Sequence, residues 1–218
     1  MHLTSLSITS ATALNFDLTP SAPVCILRGR HSDLALDLIR ELMGDYGAQN
    51  DPDRVDDGRF VIHADVQMDR KHYTVCYIRN ADFMGDCRMA VNFQADATAF
   101  STDDSRTATR EYLDKRAQRN TDCTNVLDAS RLPPDPRFAE TDRRLVAFGQ
   151  FLEQLPDDGR PVFLYGFLDR LDAATDISPL LDRLASLGRQ VFIAVCSNYQ
   201  ASHNLIHMTE TEDSYVKS

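Results

Sequence analysis

Apolar and polar residues alternate with a period of two near the start of the chain and again before its midpoint. The alternation over residues 3–9 and 14–18 predicts two short strands joined by a turn. A second group of alternating runs, 60–68, 73–77 and 89–93, predicts an antiparallel meander with one buried face.

Three other segments are apolar throughout, which is typical of central parallel strands buried on both faces. They are residues 24–27, 161–165 and 190–195. A helical stripe of apolar residues over 34–43 follows the first of them, with Ser32 or Asp33 as the expected N-cap. Each apolar strand is thus followed by a turn, as the crossover connections of parallel sheets require.

Three further helices complete the predicted α/β fold, a mixed and mainly parallel sheet flanked by helices and joined to the antiparallel meander. They are a polar helix over about 106–119 with a solvated face, an amphipathic helix over about 138–155, and a helix from Ser178 and Pro179 to Gly188.

The chain is predicted to form one domain over residues 1–218, since no linker divides it. Within it we expect an antiparallel β subdomain over about 59–94, a reduced helical or loop insertion over about 96–137, and a polar tail over about 209–218.

Charge and cysteine content bear on whether the protein binds nucleic acid and on which compartment it occupies. The 218 residues carry a net charge of −10, and Lys71, Lys115 and Lys217 are the lysines. Direct nucleic-acid contact is therefore not expected, because it needs clustered positive charge. No stretch reaches the roughly 18 apolar residues of a membrane span, and the first residues lack a signal-peptide pattern. Five cysteines without a C-x-x-C spacing predict reduced thiols and a cytoplasmic protein.

The run PVFLYGFLDRLD at 161–172 resembles the Walker B strand and D-loop of ATP-binding-cassette (ABC) ATPases of the SMC and RecF type. In that pattern an apolar strand leads into Asp-Glu-Pro and then a Leu-Asp. Tyr165 stands where the resemblance implies the Mg²⁺-binding Asp, and Gly166 where it implies the Glu that polarises water. The D-loop acids remain as Asp169 and Asp172.

The other family motifs are matched by position and not by chemistry. Gly29-Arg30-His31-Ser32-Asp33 occupies the P-loop position, but it lacks the second Gly and the Lys of G-x-x-x-x-G-K-[ST]. Residues 139–142, Ala-Glu-Thr-Asp, fall at the Ser-Gly-Gly-Glu signature, and Cys196 replaces the switch His. The order and spacing of the segments carry the resemblance, which implies a P-loop NTPase-like fold.

We therefore expect a catalytically degenerate ABC-ATPase-like protein with no catalytic residue, metal or cofactor. It would act by binding itself, an active ATPase or a coiled-coil protein across the Asp169 and Asp172 surface. One alternative is a divergent ATPase that still binds ATP and Mg²⁺ by a rebuilt loop, with Arg28 or Arg30 supplying the missing charge. Another is a small-molecule or peptide module whose crevice is lined by Arg28, Arg30, His31 and Tyr165.

Two weaker patterns lie near the end of the chain. His203 and His207 would share a face with Glu210 if this segment were helical, but that spacing alone is a weak metal signal. Cys196 beside Ser197 is interpreted as an inert buried thiol, not a nucleophile.

Two geometric expectations follow from the resemblance. The turn at Gly29 is predicted to lie at the carboxyl edge of a parallel sheet, next to the strand that ends at Tyr165. The Tyr165 ring is predicted to be buried, with its hydroxyl bonded to His31 or Ser32.

Overall fold

The computed structural model describes residues 1–10, 15–43, 59–80, 88–93, 102–119, 124–137, 139–169, 171, 175–195 and 206–210. Its backbone contacts divide the chain into two compact units. The first comprises residues 1–20, 38–121 and 211–218, and the second comprises residues 21–37 and 122–210. The single domain over residues 1–218 stays a prediction.

The first unit is built on a five-stranded antiparallel sheet of order β2-β1-β4-β5-β6. Its strands are β1 (His2–Ser10), β2 (Phe16–Leu18), β4 (Arg59–Met68), β5 (Lys71–Asn80) and β6 (Arg88–Phe93). The predicted meander is therefore present, and it is extended by the two N-terminal strands, which the pattern alone did not assign to the same sheet.

Burial along β4 shows why these residues form a half-buried strand. Phe60, Ile62, Ala64 and Val66 are buried, while the residues between them are partly or fully exposed. Helix α2 (Thr102–Arg119) contacts β6 and buries Tyr112, whose hydroxyl donates to the Leu42 carbonyl oxygen at 2.7 Å. The helix predicted from residue 106 thus begins four residues earlier.

The second unit is built on a five-stranded parallel sheet of order β10-β3-β9-β8-β7. Its strands are β3 (Val24–Arg28), β7 (Val126–Asp128), β8 (Val162–Tyr165), β9 (Val191–Val195) and β10 (Ile206–Glu210). Strands β8 and β9 are buried at every position, as a parallel strand covered on both faces should be.

Helices α3 (Glu140–Gln154) and α4 (Ser178–Ala185) contribute buried residues to the core of this unit. Phe148 of α3 stacks on Phe167 at a ring-centroid distance of 4.8 Å. Helix α1 (Ser32–Leu42) follows β3 and continues beyond Asp37 into residues assigned to the first unit. The α/β class predicted from the sequence is confirmed.

One positional prediction was wrong. Strand β9 lies between β3 and β8, so the strands that end near Gly29 and at Tyr165 are parallel members of one sheet but not neighbours. His207 lies in strand β10 (Ile206–Glu210), so the condition for a helical face shared with His203 is not met. The polar tail over about 209–218 stays a prediction. His203, Asp172 and Cys196 lie outside the described residues.

Among the described residues, no helix is long and apolar enough to cross a membrane.

Candidate functional site

The carboxyl ends of β3, β9 and β8 form one edge of the parallel sheet, where ligands of open α/β folds bind. Gly29 ends β3 with φ of +127° and donates its backbone N–H to the Val195 carbonyl oxygen at 2.9 Å. That backbone conformation favours glycine. The Ser32 N–H returns to the Gly29 carbonyl oxygen at 3.1 Å, which closes a tight turn into α1. The predicted P-loop position is therefore a short strand-to-helix turn.

The residues of this turn differ in exposure. Arg30 is exposed, His31 and Asp33 are half-buried, and Ser32 is fully buried. A buried serine side chain is not displayed to a ligand at the surface. The exposed cation of this turn is Arg30.

Tyr165 ends β8 and is 2 % exposed, so the prediction of a buried ring is confirmed. Its hydroxyl donates to Oδ1 of Asp37 at 2.7 Å, a partner that was not predicted. Asp37 is 7 % exposed and lies one helical turn beyond Asp33. A carboxylate accepts a stronger hydrogen bond than a neutral hydroxyl does. The bond therefore ties the end of β8 to the second turn of α1.

Gly166 follows with φ of +57°, the left-handed region that favours glycine. A Cβ atom on this residue would lie 3.1 Å from Ser130 Cβ and 3.3 Å from the Ser130 backbone nitrogen. Ser130 belongs to a 3-10 helix, Ala129–Arg131, which follows β7 directly. Any side chain at position 166 would therefore be both strained and crowded.

Arg144 of α3 also contacts the turn at Gly166. Its side chain is 1 % exposed, its Nη1 group donates to the Gly166 carbonyl oxygen, and its Nη2 group donates to Glu140 Oε1 at 3.0 Å. Glu140 and Asp142 are the acids of the first turn of α3. Glu140, one of the acids in the segment that was expected at the signature position, thus pairs with Arg144 of the same helix.

The segment predicted to resemble a D-loop is described only in part. Phe167 and Leu168 are buried, while Asp169 is half-buried. The predicted partner-binding role of Asp169 and Asp172 stays a prediction.

Two lysines, a residue type suited to phosphate binding, pair with Glu111 in the first unit. Lys71 donates to both carboxylate oxygens of Glu111, at 2.8 and 3.0 Å, and Lys115 lies 3.2 Å from Glu111. The hydrogen bond from Lys71 is the main reason that the pKa of Glu111 falls to about 2. No group of three or more His, Cys, Asp or Glu residues is placed to hold a metal ion in the part of the chain that the structure describes.

Sequence reasoning missed Asp37, Ser130 and Arg144. The i, i+4 spacing of Asp33 and Asp37 places both acids on one helical face, which was the available signal for Asp37. The contacts of Ser130 and Arg144 with Gly166 join residues 22 or more positions apart in the chain. No local pattern indicates such contacts.

Comparison with known proteins supports the fold but identifies no family for this chain. No family model matches the chain, and no curated protein sequence does either. Among solved structures, the SMC head domain from Thermotoga maritima matches with a TM-score of 0.54 and 11% sequence identity. The match covers 97% of this chain and 98% of that one. At this identity the similarity shows an SMC head-like fold.

Proposed function

We propose that this chain is a catalytically degenerate ABC-ATPase-like protein that acts by binding another protein, either a second copy of itself or an active ATPase. The hydrogen bond from Tyr165 to Asp37 is the observation that carries the proposal. At the position where the family resemblance implies a metal-binding carboxylate, the chain has a neutral aromatic residue. Its hydroxyl is engaged by a buried acid, and Mg²⁺ prefers carboxylate oxygens and water.

The neighbouring position supports the same interpretation. The resemblance implies a water-polarising Glu at Gly166, whose backbone φ is +57° and whose Cβ position is crowded by Ser130. A glutamate there would require both a strained backbone and a displaced 3-10 helix. The local structure is therefore adapted to glycine and does not fit an acid.

Charge at the start of α1 also disfavours a nucleotide. Asp33 lies in the first turn of α1, where a P-loop protein would place phosphate oxygens. Like charges at short range repel by about 4 kcal/mol at an effective dielectric constant of 20. Since Ser32 is fully buried, Arg30 is left as the exposed polar group of the turn that a phosphate would meet. ATP and Mg²⁺ do not fit this edge of the sheet.

Thermal unfolding with Mg-ATP tests the proposal directly. Saturation at 100 times the dissociation constant would stabilise the native state by about 2.7 kcal/mol. We expect millimolar Mg-ATP to leave the melting temperature unchanged, while an SMC-type head with intact motifs, run in parallel, should be stabilised. A clear rise for this chain, or calorimetric binding tighter than about 100 µM, would favour the divergent ATPase instead.

Light scattering across a concentration series tests the binding half of the proposal. We expect the chain to self-associate, or to bind an active ATPase of the same fold, and Asp169→Arg to weaken that association. Glu153→Arg, a charge reversal at an exposed residue of α3, is the control. Equal association of both variants would remove Asp169 from the binding surface.

Restoring one acid should not restore activity. Tyr165→Asp places a second carboxylate beside Asp37 and removes a buried ring, a class of change that costs about 3–5 kcal/mol. Tyr165→Phe, the control, loses only the hydroxyl and should cost about 1.5–3 kcal/mol. Denaturant titration measures both values. Measurable ATP hydrolysis by Tyr165→Asp would show that the other missing groups are dispensable.

A further inference from the structure

Three polar side chains form a row across the antiparallel sheet of the first unit. His63 of β4 lies directly opposite Ser7 of β1 on one side and directly opposite Cys76 of β5 on the other. Their neighbours Ile62 and Val75 are buried. Since successive side chains of a strand point to opposite faces of the sheet, the row lies on the face turned away from that buried layer. His63 is exposed, and Ser7 and Cys76 are half-buried, so a reagent in solution can reach this row.

The strand register brings the thiol of Cys76 and the imidazole of His63 within reach of each other. Directly opposed residues of an antiparallel pair have Cβ atoms about 4.5–5.5 Å apart. Both side chains extend beyond Cβ, so the thiol can donate a hydrogen bond to a ring nitrogen without movement of the backbone. A base within hydrogen-bond reach of a cysteine is the arrangement that activates a thiol as a nucleophile.

Asp65, the acid two residues along β4 from His63, is engaged by other groups on the same face. The Ser5 hydroxyl donates to its Oδ2 atom at 2.7 Å, and the Thr74 hydroxyl donates to its Oδ1 atom at 2.7 Å. Both carboxylate oxygens therefore already accept hydrogen bonds. This leaves the imidazole of His63 as the base that faces the Cys76 thiol.

We propose that Cys76 is a reversible modification site that forms mixed disulfides with low-molecular-weight disulfides, with His63 as its base. The thiol proton passes to the imidazole, and the Cys76 sulfur attacks one sulfur of the incoming disulfide. A new S–S bond forms to Cys76 while the original S–S bond breaks. Cys76 is oxidised, and the other half of the reagent leaves as a reduced thiol that takes up the proton. The inference does not depend on the proposed binding function.

Incubation of the full chain with glutathione disulfide at neutral pH, followed by peptide mapping, tests the proposal. We expect a glutathione adduct on Cys76 that dithiothreitol removes, and no adduct on the buried Cys25. His63→Ala should slow formation of the Cys76 adduct at least about fivefold, which is less than an enclosed general base contributes. Free imidazole should restore part of that rate, an effect that a purely structural role of His63 would not produce.

His72→Ala is the matched control, because His72 is an exposed histidine of the same strand as Cys76. It lies four residues from Cys76, a separation of about 13 Å along an extended strand, so its removal should leave the rate unchanged. Both histidines are exposed, and the melting temperature of each variant establishes that the fold is intact. Absence of an adduct on Cys76, equal rates for His63→Ala and the unmodified chain, or equal slowing by His72→Ala would overturn the proposal.

Discussion

Replacing Gly166 by alanine tests the claim that this position is closed to an acidic side chain. The chain provides matched controls, because Gly159 and Gly188 have φ of +69° and +67°, close to the +57° of Gly166. A Cβ atom at either control position has no heavy atom within 4 Å, whereas at Gly166 it would lie 3.1 Å from Ser130 Cβ. The three variants therefore share the backbone strain and differ in crowding.

The expected free energies follow from two contributions. A left-handed backbone costs a non-glycine residue about 1–2 kcal/mol, and alanine recovers about 0.4–1 kcal/mol by restricting the unfolded chain. Gly159→Ala and Gly188→Ala should thus destabilise by about 0–1.6 kcal/mol. Overpacking adds about 1–3 kcal/mol at Gly166. Part of the crowding involves the Ser130 backbone nitrogen, 3.3 Å away, so a side-chain rotation alone cannot relieve it.

Urea titration followed by circular dichroism measures all three variants under the same conditions. We expect Gly166→Ala to lose at least about 1 kcal/mol more than either control, with an unchanged denaturant dependence, which indicates a native-state effect. Equal destabilisation of the three variants would refute the steric argument. The proposed exclusion of an acid at this position would then depend on the backbone angle alone.

Gly149→Ala, in the middle of α3 with nothing within 4 Å of the added Cβ, should raise stability by about 0.5–1 kcal/mol; a lowered melting temperature would contradict an open environment. Cys25 is buried and its pKa is raised to about 12 by desolvation, so peptide mapping after iodoacetamide treatment at pH 8 should show it unmodified while half-buried Cys76 reacts. Labelling of both at one rate would show that Cys25 is accessible. The pKa of Glu111 is lowered from 4.5 to about 2, first by Lys71, so its stabilising effect is complete above pH 4.5 and is lost as the pH falls toward 2. Glu111→Gln should flatten the loss of stability in that window, and an unchanged acid titration would refute the assignment.

Much of the fold could be predicted because its strands carry strong local patterns. The alternation along β4 and the apolar runs of β8 and β9 are long enough to reveal one or two buried faces. The missed strands lack such patterns. Strand β7 has only three residues, and β10 (Ile206–Glu210) mixes apolar and polar residues within five positions. Both are edge strands whose formation depends on pairing with β8 and β3, which no short segment encodes.

The candidate site was predictable in its location but not in its contacts. Gly29 and Tyr165 lie at the carboxyl edge because parallel strands end there, a consequence of chain order. Asp37, which accepts the hydrogen bond from Tyr165, lies 128 positions away in the sequence. Which residue of α1 the phenol reaches depends on how this helix packs on the sheet. The burial of Arg144 against Gly166 likewise depends on the packing of α3. Such details arise from tertiary packing.

The altered residues at the carboxyl edge are interdependent. The buried carboxylate of Asp37 accepts a hydrogen bond from the Tyr165 hydroxyl at 2.7 Å. A carboxylate at position 165 would remove this donor and place a second acid beside Asp37. The left-handed backbone of Gly166 presents its carbonyl oxygen to buried Arg144, and that guanidinium in turn depends on the carbonyl as an acceptor. An acid at position 166 would disturb both the backbone and this bond. Changing either residue alone therefore leaves a neighbouring group in the wrong environment: Asp37 would lose its donor in one case, and Arg144 would lose its acceptor in the other.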